Sequence, residues 1–339
     1  MDIRSFKEFI GHKEIIKNLQ NSIANDKVSH AYIFAGEKGS GRKLMASVFA
    51  AALECENNSA LSPENKEPEP CQHCPSCIKA FRYSHPDIIM VTHEKPNVIT
   101  VDEIREQVVE SSVIKPYEGK YKIYIIEDAD KMNVQAQNAL LKTIEEPPEY
   151  IVIILIASNK EAMLPTISSR CVTLSFGEIR EEDIKNYLVG ELQISRDEAG
   201  VITAFSRGNI GKAKSVALSD DFGEKIRISV EFISRIDEMT LEECVAESAR
   251  IAKDKANIAE QLDIYDMWFR DVLMYKATMD SNELIFRQYR EEVRSAGKNR
   301  GYENLTNIFD AIENARKRIK ANVSTELTLQ LLFITIKEN

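Results

Sequence analysis

Nowhere in its 339 residues does the chain string together the eighteen or so uninterrupted apolar side chains of a membrane-spanning helix. The opening stretch MDIRSFKEF has neither the basic segment nor the apolar core of a secretory leader, so the sequence reads as cytoplasmic, with no membrane partner. Positive charge is also scarce. Against 54 Asp and Glu there are only 44 Lys and Arg, a net charge of −10. That balance argues against a chain that coats DNA by itself, because non-specific affinity for DNA comes from neutralising phosphates. A role on nucleic acid then needs a local basic patch or basic partners. No internal repeat is present. The 43% apolar content is that of an ordinary globular protein, and the length suits two or three domains.

A second kind of absence is local. GEKGSGRK, Gly36 to Lys43, has the glycine spacing of a phosphate-binding loop but not its chemistry. The pattern G-x-x-x-x-G-K-[ST] uses backbone amides to cradle phosphates, a Lys to reach them and a hydroxyl to hold Mg²⁺. Gly36 and Gly41 are in place, with Gly39 between them, but Arg42 stands for the Lys and Lys43 for the hydroxyl. An ammonium cannot ligate Mg²⁺. Further on, the apolar run IYIIEDAD ends in Glu127 and Asp128, two acids in the reverse of the Asp-Glu order that serves a working ATPase. A degenerate nucleotide site is one reading of these residues; a tight strand-to-helix turn and a solvated strand end are another.

Cysteine is concentrated. CQHCPSC places Cys71, Cys74 and Cys77 at C-x₂-C-x₂-C spacing, with Cys55 upstream. Four thiolates close a tetrahedral site of the structural-zinc type, with His73 a weaker substitute ligand. An iron–sulfur cluster and free buried thiols remain alternatives, the latter fitting Cys171 and Cys244.

Apolar, β-branched runs at 31–36, 87–92, 121–128, 150–159 and 171–176 alternate with helical patterns. They predict an α/β fold, a parallel sheet of strands buried on both faces with helices on either side. Thr100 and Glu103 stand at capping-box spacing, and Pro147 and Pro148 close a helix beginning near Asn133. Lys131, Gln135 and Lys142 around that helix are candidates for phosphate contact or simply solvated charges. The stretch 56–70 is acidic and Pro-containing and reads as a mobile exposed loop. Beyond 176 the patterns are helical, one helix opening with Ser195 and Glu198 at capping-box spacing, and Trp268 is expected in a bundle core.

VSHAYIFAGEKGSGRK, the inserted cysteines, HPDIIMV, IEDADKMNVQAQNALLKTIEEPP and LPTISSRC follow one another in this order. Together they closely resemble the clamp-loader subunits of bacterial DNA polymerase III, an AAA+ family, over residues 1 to about 215. The resemblance implies a P-loop type domain over 1–176 with a zinc module near 55–77, a helical lid over 177–220 and a helical collar over 221–339. It also implies motor subunits and a delta subunit as partners in a five-membered ring, and the loading of a sliding clamp onto primed DNA. Arg170, in SSRC, corresponds to an arginine finger supplied to a neighbour's ATP. The position of the lid's phosphate-sensing Arg falls on Gly211, with Arg207 and Lys212 out of register. With loop, acid order and sensor all altered, the expectation is a noncatalytic subunit that neither binds nor hydrolyses ATP. An active ATPase using Arg42 in place of Lys is the alternative, and a zinc-dependent nucleic-acid binder is a third reading that the net charge disfavours.

Overall fold

The computed structural model describes residues 3–60, 67–254 and 257–339. These form two compact units. The first holds residues up to Asp183 together with Gly208–Lys212, and the second holds Ile184–Arg207 and Ala213–Asn339.

Five strands build the sheet of the first unit: β1 (Ala31–Gly36), β2 (Ile88–Val91), β3 (Lys122–Ile126), β4 (Ile151–Ala157) and β5 (Val172–Phe176). All pairings are parallel and the order is β2-β3-β4-β1-β5. Every residue of β3 and β4 is buried, as their uninterrupted apolar runs predict. Helices α1 (Lys13–Ala24) and α2 (Arg42–Leu53) cover one face. Leu19, Met45 and Phe49 pack there on Phe34, Ile123, Ile125 and Ile154. On the other face α4 (Val101–Ile104) and α5 (Val134–Glu145) bring Ile104, Leu140 and Ile144 onto Ile33, Tyr124, Ile126 and Ile153. The alternation of strand side chains supplies both cores. Two short helices complete this unit, α3 (Pro75–Phe81) after the third cysteine-turn position and α6 (Pro165–Ser168) before β5.

Several details depart from the sequence reading. β5 is not buried on both faces: it is an edge strand paired only with β1, and Val172, Thr173 and Ser175 are exposed. Cys171 therefore lies before the strand and is half-buried, its thiol pushed up to about 12 by burial. The helix expected from Thr100 does begin with a capping box, but Arg105–Glu110 winds as a π-helix. Of the expected loop 56–70, residues 61–66 lie outside the described residues. Its ends are ordered: Glu56–Ala60 form a 3₁₀ turn, Pro68 and Pro70 are buried, and Glu69 accepts the Phe6 N–H at 2.9 Å.

The second unit is helical. α7 (Glu181–Gly190) and α9 (Ile210–Ala217) straddle the division, and α8 (Arg196–Ser206) carries the expected Ser195 cap. Then follow α10 (Phe222–Ser234), α11 (Leu241–Ala252), α12 (Ile258–Thr278), α13 (Arg290–Asn299), α14 (Tyr302–Lys320) and α15 (Thr325–Glu338). Trp268 on α12 is 1% exposed, a core residue as expected, with the Phe286 ring centroid 6.4 Å away. Asp271, fully buried, accepts the N–H groups of Ile285 and Phe286 at 3.1 and 2.8 Å and so ends the α12–α13 connection inside the core. In the basic run ENARKRIKANV, Arg316 pairs with Asp263 at 2.8 Å. No helix among the described residues is long and apolar enough to cross a membrane.

Before β3 the backbone is held by two buried carboxylates. Asp87 accepts the N–H groups of Tyr117, Glu118 and Gly119 at 2.6, 2.9 and 2.9 Å. Glu54 accepts those of Lys120 and Tyr121 at 3.0 and 2.9 Å. Five consecutive amides are thus satisfied by side chains. A Cβ on Gly119 would lie 1.9 Å from a Glu54 oxygen, so only glycine fits. Burial pushes Glu54 up to about 7, helped by the nearby charges of Asp87 and Glu118. For Asp87 burial acts in the same direction, but the three N–H donors outweigh it and its pKa falls below 3.8. Its stabilising effect is therefore present above that pH and lost as pH falls through the depressed value. Asp87→Asn is expected to cost about 1–3 kcal/mol in denaturant unfolding at pH 7. The gap from the parent protein should narrow below pH ~4. A gap that stays constant across that range would exclude the carboxylate charge as its source.

Candidate functional site

Because the sheet is parallel, the carboxyl ends of β1, β3 and β4 open onto one edge, the usual place for a ligand in such a fold. The glycine loop, Glu127, Asp128 and Ser158 all meet there. β1 ends at Gly36, and the loop returns as α2. Gly39 and Gly41 have φ of 93° and 91°, a region that favours glycine, and Gly41 is the N-cap of α2. The glycines are thus needed by the turn itself, whatever its chemistry.

The two replaced side chains turn to different partners. Lys43 Nζ lies 2.6 Å from Glu127 Oε1, an ion pair between the position of the metal-binding hydroxyl and the first of the two acids. Arg42 is 7% exposed and its Nη2 donates to Ser158 Oγ at 3.2 Å. Burial disfavours the charge of Arg42, while the carboxylates of Asp130 and Asp128 favour it. Asp128, in the left-handed region with φ 51°, turns to Lys131, whose Nζ is 2.7 Å from Oδ2. That ammonium holds Asp128 below the usual carboxylate range, against the partial burial that would raise it. Asp130 Oδ1 accepts the Ser158 N–H at 3.0 Å. The acids Glu127 and Asp128 therefore serve two separate lysines rather than one common cation.

The turn 208–212 closes on the loop. Asn209 Nδ2 donates to the Lys38 carbonyl at 2.8 Å, and the Gly211 N–H donates to the Gly39 carbonyl at 3.0 Å. A Cβ on Gly211 would stand 2.5 Å from that same carbonyl oxygen. Arg207 is turned to Asp266 and Asp263. The sequence does not reveal Asn209, Asp130, Ser158 or His12, whose Nε2 is 3.1 Å from the Ser40 carbonyl. The only local sign is that Asn209 sits between Gly208 and Gly211.

Arg170 follows α6 and is exposed. Its Nη2 is 3.1 Å from Glu145 Oε1, and its Nη1 donates to the Thr166 carbonyl at 2.9 Å. At the start of α5, Asn133 caps the Ala136 N–H at 2.8 Å, and Val134 and Gln135 are exposed. Lys131 is not free there: beyond Asp128, it donates to the Pro96 carbonyl at 2.7 Å. Lys142 is exposed on the same helix.

The Sγ atoms of Cys55, Cys71, Cys74 and Cys77 all lie within 4.8 Å of one another. Cys55 is delivered by the end of α2 and Cys74 caps α3. Cys71 and Cys77 Sγ are 3.9 Å apart. A tetrahedron with metal–sulfur arms of ~2.3 Å has edges of ~3.8 Å, so the thiols are spaced as ligands of a single ion. The N–H groups of Cys71, Cys74 and Cys77 approach the sulfurs of Cys55, Cys71 and Cys74 at 3.4, 3.3 and 3.4 Å, contacts that favour thiolates. The hydrogen bond from Cys77 favours the thiolate of Cys55 and pushes its pKa down. His73 is outside the cluster, with Nδ1 2.6 Å from the Cys71 carbonyl and Nε2 3.2 Å from Asn57.

Residues 11–180 match the family described as DNA polymerase III, delta subunit. Among curated proteins, the chain is 28% identical over 337 residues to DNA polymerase III subunit delta' of Bacillus subtilis, covering 96% of this chain and 95% of that one. It is 30% identical over 295 residues to the tau subunit of the same organism, covering 80% of this chain but 50% of that protein. Among solved structures, a DNA polymerase III gamma subunit-related protein from Thermotoga maritima aligns with a TM-score of 0.43 and 18% identity, covering 95% of this chain and 98% of that one.

The close contact between loop and turn makes a test. Gly211→Ala is expected to lower stability by about 1–3 kcal/mol, because the added methyl meets backbone. Gly223→Ala is the control, since a Cβ there meets nothing within 4 Å. Equal losses at both positions in denaturant unfolding would mean that the contact is not tight.

Proposed function

The chain belongs to the DNA polymerase III delta subunit family, and on that premise we propose that it is a noncatalytic member of the clamp-loader ring. The observation that carries this is the Lys43–Glu127 ion pair, 2.6 Å long, where a motor subunit needs a divalent cation. In-line transfer of a γ-phosphoryl group depends on that ion to neutralise developing charge. An ammonium bonded to Glu127 neutralises the carboxylate but offers no coordination position to a phosphate oxygen or a water. The reversed acids and Gly211 in place of a phosphate-sensing Arg support the same reading.

Its role is then exercised through partners: the motor subunits and the delta subunit of a five-membered ring, the sliding clamp, and primed DNA held within the assembly, all in the cytoplasm. Residues 177–220 serve as lid and 221–339 as collar in this reading. Arg170 is the group offered to a neighbour's ATP. An exposed pair such as Arg170–Glu145 is worth roughly 0–1 kcal/mol, so the guanidinium is readily released to a stronger anion. In trans, such an Arg supplies a rate factor of about 10³–10⁵. The four thiols hold a structural zinc ion, closing the 55–77 insertion onto the end of α2. Zinc supplies cross-linking there and no open position for chemistry.

Two measurements check this. In a reconstituted loader with fixed motor subunits, Arg170→Ala should cut clamp- and DNA-stimulated ATPase by about 10²-fold or more while the ring still assembles. An unchanged rate would remove Arg170 from catalysis, and Mg-ATP turnover by the isolated chain would overturn the noncatalytic assignment. Metal analysis of the native protein should find one zinc per chain, lost in Cys74→Ser together with a lowered melting temperature. Iron in its place would replace the zinc assignment.

A further inference from the structure

We propose that the second unit carries a docking cleft for a basic polypeptide segment, one that presents an apolar side chain between Lys or Arg residues. The cleft lies between the start of α8, the start of α10 and the 3₁₀ turn Arg287–Tyr289. It is formed without the glycine loop, the thiols or Arg170.

A cavity of about 480 Å³ opens there, within the range of ~300–1,000 Å³ usual for ligand sites. Its floor is apolar: Val201 and Ile202 come from α8, Phe222 and Ile226 from α10, and Phe286 and Tyr289 from the turn. At the C-terminal end of α8 the two helices close on each other, with the Phe205 and Phe222 rings edge to face at 4.9 Å. At the N-terminal end, Arg287 and Asp197 face each other at 3.8 Å, with side chains 60% and 85% exposed. A pair so long and so exposed holds nothing shut, because solvent screens it.

Charge around the cleft is unbalanced. Asp197 and Glu198 stand exposed on α8. On α10, Arg227 is held by two carboxylates, its Nε donating to Glu224 at 2.9 Å and its Nη1 to Glu231 at 2.8 Å. Arg287 is the other cation, with its Nη2 given to the Asn282 carbonyl at 2.9 Å. Among the charged residues that line the cleft and their ion-pair partners, four carboxylates stand against two guanidiniums, a local charge of −2. Acids in a first turn suit the dipoles of their own helices, which accounts for Asp197, Glu198 and Glu224 but not for Glu231 on the third turn of α10. Burial pushes the Tyr289 phenol up, and the carboxylates of Glu231 and Glu292 add to that against Arg227. An apolar floor under a negative rim selects an apolar group carried beside positive charge. A polypeptide fits because the rim charges lie on separate elements, and a chain can reach them while one side chain fills the floor. Gln288 at the mouth offers its backbone both a donor and an acceptor.

The chain has its own reporter. Its single tryptophan, Trp268, stands against Phe286 of the floor, with ring centroids 6.4 Å apart. The test is titration of the full chain, read by calorimetry and by Trp268 emission, with three short tryptophan-free peptides. One has a leucine–phenylalanine core flanked by lysines, one has the same core flanked by glutamates, and one keeps the lysines but has serines for the core. The expected result is one lysine-flanked apolar peptide bound per chain, with the other two weaker by about tenfold or more. Glu198→Lys should weaken the basic peptide about tenfold and strengthen the acidic one. Val201→Arg should obstruct the floor and abolish binding. Should that variant fold poorly, the opposed shifts in Glu198→Lys carry the test. Equal affinity for acidic and basic peptides, binding that neither variant alters, or no binding below about 1 mM would overturn the proposal. So would 2-phenylethylamine binding as tightly as the peptide, which would make the occupant a small cation. Neither substitution touches the glycine loop or Arg170, so ATPase rates of the whole ring test the noncatalytic reading separately.

Discussion

A parallel sheet with two interior apolar strands buried on both faces imposes most of what is seen in the first unit. β3 and β4 have no exposed residue, so helices must cover either side. Parallel pairing in turn sends the connection after each strand back across the sheet and leaves all carboxyl ends at one edge. The glycine loop, the two acids and Ser158 are neighbours for that reason. None of them needs to react for the arrangement to persist, since it follows from burial of the strands. The shape of this edge is therefore set by the packing of the sheet, whatever chemistry it carries.

Within that edge the substitutions compensate one another. Lys43 for a hydroxyl would strand a cation, were Glu127 not within 2.6 Å. Arg42 for Lys introduces a wider, flatter cation, and Ser158, Asp130 and Asp128 surround it. Lys43 is answered by Glu127 just after β3, and Arg42 by Ser158 just after β4.

The sequence was most informative where burial was uniform or geometry was local. β1, β3 and β4 were legible as apolar runs, and the Thr100 capping box and the Ser195 cap as short-range patterns. The thiol cluster was legible because ligand spacing is itself a sequence property. What escaped depends on distant partners. The exposure of β5 follows from its being an edge strand, which pairing order decides and composition does not. Pro68 and Pro70 are buried although their segment looks wholly polar, because Glu69 between them reaches the backbone of Phe6. Asn209 lies 171 positions from the carbonyl it holds, and no periodicity can signal such a pair. The π-helical turn at Arg105–Glu110 likewise accompanies a long-range contact, Gln107 bonding both backbone groups of Thr92.

Helix α2 joins two regions that have been described separately. It begins at the altered loop with Arg42, and the chain leaves it through Glu54 and Cys55, so the carboxylate holding Lys120 and Tyr121 adjoins the first thiol. Twelve residues make a rod of about 18 Å. Nine of its residues are buried, which leaves it little freedom to bend or roll. The rod thus acts as a mechanical spacer, fixing the distance between the loop and the thiol cluster. An inserted or deleted residue within it would rotate one end against the other by about 100°. The length of α2 is therefore constrained by both ends at once.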